Sequence, residues 1–216
     1  MRRNTWAVGA AAAAVLLTVG ACSNATTDSA QTSSVATSSS AETATPAAET
    51  HNQADAMFAQ HMIPHHQQAI EMSDMLLAKE GIDPRVLDLA EEIKAAQAPE
   101  IEQMQTWLTQ WGIPTMSMMP GMEDMHGHSG MPGMEGMQDM EGMMSAEDMA
   151  ALQSAEGVAA AKLYLTQMIA HHEGAISMAE KEIADGQYPA AIALSQVIVT
   201  SQQQEIDTMN EILASL

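Results

Sequence analysis

Along most of the chain, apolar positions recur every three to four residues. Leu87-Ala90-Ile93 and Ile101-Met104-Leu108 are two such runs. That spacing puts one apolar stripe on an α-helix and does not suit the alternation of a strand. The same segments are rich in Ala, Leu, Met, Glu, Gln and Lys, all good helix formers. Two breaks interrupt the pattern, Gly81-Ile-Asp-Pro84 and Asp185-Gly-Gln-Tyr-Pro189. Gly after a helix and Pro at the next start are the expected punctuation. The spacing predicts helices over about 52–80, 84–111, 146–185 and 189–214, with kinks at Pro64 and Pro99.

The pattern is duplicated. Phe58-Ala-Gln-His-Met-Ile-Pro-His65-His66-Gln-Gln-Ala-Ile-Glu-Met72 returns 106 residues later as Tyr164-Leu-Thr-Gln-Met-Ile-Ala-His171-His172-Glu-Gly-Ala-Ile-Ser-Met178. Ile93, Gln97, Glu100, Ile101 and Met104 return at an offset of 105 as Ile198, Gln202, Glu205, Ile206 and Met209. Two related helical hairpins would bury their stripes against each other, so the fold expected is all-α, an antiparallel four-helix bundle. The duplicated domain covers 51–216 and contains a Met/Gly-rich insertion at 112–145.

The remaining segments read differently. Arg2 and Arg3 precede an apolar stretch, Ala7–Ala21, too short to span a bilayer but suited to a secretory signal. Residues 1–21 are therefore expected to be a signal peptide. Val19-Gly20-Ala21-Cys22 resembles the bacterial lipobox, which implies lipidation of Cys22 and an anchor on the extracytoplasmic face of the membrane. Residues 22–50 read as that lipidated Cys followed by a Ser/Thr/Ala linker with little to bury.

Composition narrows the function. The 216 residues include 28 acidic and 7 basic side chains, for a net charge of −21. That balance excludes nucleic acid, whose phosphates need Lys and Arg. It also disfavours electrostatic docking on anionic lipid. A single Cys permits no internal disulfide. The 21 Met are far more than packing requires, and eleven of them lie in residues 112–144, among Gly and Pro that prevent regular helix. Here Met116, Met118, Met119, Met122, Met125, Met131 and Met134, with His126 and His128, form a flexible polydentate thioether surface.

On a helical wheel of about 100° per residue, His61, His65 and Met72 fall on the inward stripe of the first helix, with Met62 and His66 on its shoulder. In the second copy His171 and Met178 are expected inward, with Met168 and His172 on the shoulder and Gln167 in place of His61. Gln97, Glu100, Gln202 and Glu205 interrupt the stripes of the facing helices. They are expected to hydrogen-bond the imidazoles and orient them. Soft thioether with borderline imidazole suits Cu(I), and His suits Cu(II). Met72 and Met178 are weaker candidates, since Met is more often core filler.

His61-Met-Ile-Pro-His-His-Gln-Gln-Ala-Ile, together with Met168-Ile-Ala-His-His-Glu-Gly-Ala-Ile, resembles a domain-of-unknown-function family of secreted ferritin-like helical proteins that includes the copper-binding protein CopM. The resemblance covers about residues 52–111 and 155–214. It implies a ferritin-like bundle outside the cytoplasm and gives ligand roles to His61, Met62, His65, His66, Met168, His171 and His172.

The expected function is a lipid-anchored copper-binding protein, taking Cu(I) and also Ag(I), that sequesters the metal, confers resistance or hands it on. No organic cofactor is expected, and the transfer partner would be a copper exporter or copper enzyme. With no nucleophile, general-base pair or phosphate loop, the chain is not expected to be an enzyme. Two other readings compete: a copper-dependent redox enzyme, and a metal-independent cell-surface interaction module.

Overall fold

A computed structural model describes residues 50–114 and 141–216. The signal, the linker, Cys22 and the insertion's Met116–Met134 and His126/His128 lie outside the described residues. Those described are all-α, with five helices and no strand among them: α1 Gln53–Leu77, α2 Pro84–Trp111, α3 Ala146–Ser154, α4 Gly157–Asp185 and α5 Pro189–Ser215. No helix among the described residues is long and apolar enough to cross a membrane.

The helix ends follow local chemistry. Asn52 opens α1 with a capping box, its side chain accepting from Asp55 N while Asp55 accepts from Asn52 N. This satisfies two of the donors a helix start leaves free. Asn52 also donates from Nδ2 to the Asp185 carbonyl at 2.8 Å, tying the start of α1 to the end of α4. Asn52→Ala should cost about 1 kcal/mol in urea denaturation, the usual worth of such a cap. Asp83 caps α2, with Pro84 in its first turn, and Gly112 ends it at φ 69, a left-handed conformation that glycine adopts without strain. Helices α1 and α2 continue through Pro64 and Pro99.

One expected element is divided. The helix expected over 146–185 is broken at Ala155 and Glu156, both extended, before Gly157 at φ 53. Gly157 supplies the left-handed conformation at the break. The break lets α3 lie on α1 and α4 and bury Leu152 completely. Lys79 Nζ donates to the Gln153 carbonyl at 2.8 Å and holds the end of α3 down.

The core has two apolar ends. One contains Leu76, Val86, Ile93, Leu152, Tyr164, Met168 and Met209. The other contains Phe58, Met62, Ile101, Met104, Leu108, Ala175 and Ile198. Each long helix passes from one to the other. Along α1 the change occurs at His65-His66, and along α4 at His171-His172. Along α2 it falls at Gln97–Glu100, and along α5 at Gln202–Glu205. A polar layer therefore lies between two apolar ends, at the duplicated motifs. Helix α1 packs on α2 and α4 on α5, and α1 against α4 joins the two hairpins.

Candidate metal centre

The histidine layer is built from the α1–α4 contact. His65, His66, His171 and His172 have no solvent exposure. The rings of His65 and His171 lie with centroids 3.7 Å apart, inclined by 38°. Their corresponding positions in the duplicated motif bring them face to face.

Hydrogen bonds determine which nitrogen each ring presents. His66 Nε2 lies 2.7 Å from Glu100 Oε2, and His172 Nε2 lies 2.7 Å from Glu205 Oε2. His65 Nε2 lies 3.2 Å from the Glu141 carbonyl. Carbonyl and carboxylate oxygens accept, so each Nε2–H donates. The Nδ1 atom is then left with a free lone pair. All three Nδ1 atoms are buried without a hydrogen-bond partner, as are both ring nitrogens of His171. Buried polar atoms nearly always find partners, and five unpartnered ring nitrogens in one layer call for an explanation. A carboxylate holding the far nitrogen of a histidine is the usual support of a metal ligand.

Burial, reinforced by the neighbouring His66, pushes His65 down to about 3. Burial and the adjacent His65 drive His171 well below the usual imidazole range. Both rings are therefore neutral at physiological pH, the form that coordinates a cation. Met62 and Met168 are fully buried. Each lies three residues before the first histidine of its pair, a spacing that places the two side chains on one helix face. One belongs to each apolar end, so thioethers flank the layer from both sides.

Several expectations are corrected by these positions. His61 and Met178 are not in the layer; they are half-buried and line a cleft between α1 and α4. Gln97 and Gln202 are buried in the layer, but among the described residues neither hydrogen-bonds an imidazole; Glu100 and Glu205 alone do so. Gln97 Oε1 and Nε2 and Gln202 Oε1 have no partner. Gln167 donates to the Asp148 carbonyl at 3.0 Å, so this substitution for His61 serves to hold α3. Met72 is fully buried in the core. Among the described residues, no three His, Cys, Asp or Glu side chains are grouped so as to hold a metal ion. The layer thus offers imidazole nitrogens in pairs, with Met62 and Met168 packed in its two flanking apolar ends.

One contributor has no counterpart among the sequence-based expectations. The chain leaving the Met-rich insertion lies directly on the layer. Glu141 carbonyl meets His65, and Glu141 Oε2 accepts from Ser177 Oγ at 2.7 Å. Gln68 Nε2 donates to the Met144 carbonyl at 2.9 Å and Met144 N donates to Gln68 Oε1 at 2.7 Å. Gly174 lets this strap touch α4, since a Cβ there would strike the Glu141 carbonyl and come within 2.7 Å of the Gly142 Cα. The sequence does carry a signal for it: Gly inside the helical motif His-His-Glu-Gly, where the first copy has Gln68.

Comparison with known proteins agrees with this architecture. Residues 55–213 match the family described as a domain of unknown function, DUF305. A DUF305 protein from Streptomyces coelicolor has 32% sequence identity and a TM-score of 0.62, over 75% of this chain and 91% of that one. A DUF305 fragment from Deinococcus radiodurans has 30% identity and a TM-score of 0.63, over 76% and 98%. CopM in its Cu(I)-bound form has 28% identity and a TM-score of 0.56, over 74% and 96%; CopM was also solved with Cu(II) and with Ag. No curated protein matches the chain. The match over residues 55–213, nearly all the described helices, shows that the chain belongs to the DUF305 family.

Proposed function

We propose that the protein binds copper outside the cytoplasm, as Cu(I) with Ag(I) as an alternative cargo, and sequesters it or passes it on. The unpartnered ring nitrogens of the His65/His66/His171/His172 layer, with His66 and His172 backed by carboxylates, carry the reading. Neutral buried nitrogens and soft thioethers suit a soft ion that needs fewer ligands than zinc does. The copper- and silver-bound forms of CopM, at 28–31% identity, support it. The four long helices are read as an antiparallel, ferritin-like bundle, because successive helices traverse the two apolar ends in alternating directions.

The rest of the proposal comes from sequence. A signal peptide at 1–21 and a lipidated Cys22 with its linker to residue 50 would hold the domain at the outer membrane surface. The 112–145 insertion would gather ions through its thioethers, and a copper exporter or copper enzyme would receive them. No catalytic role is proposed.

Titration of the full chain with Cu(I) against a competing chelator tests the reading. Replacing His65, His66, His171 and His172 by Ala should weaken the tightest site by about 100-fold, while the insertion's weaker uptake persists. His66→Gln with His172→Gln preserves shape and should cost about tenfold. An unchanged binding curve in both variants would sink the proposal.

A further inference from the structure

The duplication supplies an internal control for the cleft between α1 and α4. There Met57, His61, Met178 and Glu182 line a cavity of about 260 Å3, with Lys181 and Asp185 at its edge. Displaced by 106 residues, the matching positions are Leu163, Gln167, Met72 and Leu76. In that half Met72 and Leu76 are wholly buried, and Gln167 is bonded to α3. The bundle therefore needs only apolar or amide side chains at these positions. In the open half, Leu gives way to Met57, Gln to His61 and Leu to Glu182, while Met is kept as Met178.

Glu182 is a second, independent pointer. It is 2% exposed, faces the cavity, and neither carboxyl oxygen has a hydrogen-bond partner. Its neighbour Asp55 is already engaged, with Oδ1 accepting from Gln187 N at 2.9 Å and Tyr188 N at 2.8 Å. Lys181 pairs at the surface with Glu141, 3.4 Å away. A buried carboxyl group beside Asp55 thus stands where its counterpart is a leucine.

We propose that Met57, His61, Met178 and Glu182 form a second, solvent-open site for a soft monovalent cation of the Cu(I) or Ag(I) class, separate from the buried histidine layer. Met57 and His61 are four residues apart on α1, and Met178 and Glu182 four apart on α4. Such pairs sit one above the other on a helix face, and facing helices of a bundle build metal sites from pairs of this kind. Two thioethers and an imidazole make the donor set soft, and the Glu182 carboxyl adds an oxygen donor. Met57, 46% exposed, opens the site to solvent. The cation class rests on the copper reading above, whereas the existence of the site does not.

Titration of the full chain with Ag(I) alone, followed through 13C-methyl methionine resonances, tests this. The Met57 and Met178 methyls should shift together at micromolar Ag(I). His61→Gln with Met178→Leu, which installs the counterpart residue and an isostere, should abolish the Met57 shift with the helical spectrum retained. Glu182→Gln should weaken the response about tenfold. His65→Ala with His171→Ala should leave the Met57 response in place even if the buried layer never binds metal. A Met57 response unchanged by the His61/Met178 replacements would overturn the site, as would a response seen only at millimolar Ag(I).

Discussion

Acidified from pH 7 to pH 4, the metal-free protein should lose several kcal/mol of folding stability, with His65 and His171 as the main source. Both rings are buried neutral and titrate far below their unfolded value. The unfolded chain therefore takes up protons near pH 6.5 that the folded chain refuses down to about 3 at His65. Stability from this source is complete above 6.5 and is lost as pH falls toward 3. Each pH unit between those limits is worth about 1.4 kcal/mol, so His65 alone accounts for up to about 3 kcal/mol by pH 4. His171 acts in the same direction.

Glu182 works in the opposite sense. Burial, followed by the Asp55 carboxyl beside it, pushes it up to about 8, so its contribution is lost as pH rises from about 4.5 to 8. Stability should then peak on the acid side of neutrality. Urea denaturation at pH 7, 5.5 and 4 would measure this. His65→Gln with His171→Gln should flatten the acid limb, and an equally steep limb in that variant would show that other groups control it. Bound copper should protect against acid, because metal and proton compete for the same nitrogens.

Gly174→Ala should detach the strap. The added Cβ meets the Glu141 carbonyl and the Gly142 backbone, and backbone cannot rotate aside as a side chain would. Helix α4 holds Gly174 rigidly between His172 and Ala175, so residues 141–144 must move. The lost contacts include the His65 Nε2 bond to Glu141 and the paired bonds between Gln68 and Met144. The expected cost is about 3 kcal/mol, the upper end for overpacking a tight contact. Hydrogen exchange at Met144 N should accelerate, and Cu(I) should reach the layer faster but be held less firmly. Unaltered exchange and binding kinetics would show that the strap plays no part in covering the layer.

Helix positions were largely legible because the apolar period, the Gly/Pro breaks and the duplication all point to one arrangement. The break before Gly157 was not, because residues 146–156 favour helix and Gly157, whose φ of 53 ends the run, reads as a helix-interior glycine. The paired histidines were found by their repetition, and Glu100 and Glu205 by their interruption of an apolar stripe. His61 and Met178 were expected beside the paired histidines and instead line a cleft between α1 and α4. A wheel assigns a face to each residue but cannot show where two helices separate.

The sequence by itself determined that the chain is helical, that its halves are related, and that His-Met motifs fall at matching positions within them. Local propensity and period suffice for this, since both act within a few turns. Only the tertiary structure decided that His65 and His171 meet, their rings tilted by 38°, that a carbonyl 76 residues away from His65 selects its free nitrogen, and that one copy of a cleft is filled while the other stays open. Those outcomes depend on contacts between helices distant in sequence, where three changed side chains, Met57 for Leu163, His61 for Gln167 and Glu182 for Leu76, turn packing into a candidate site.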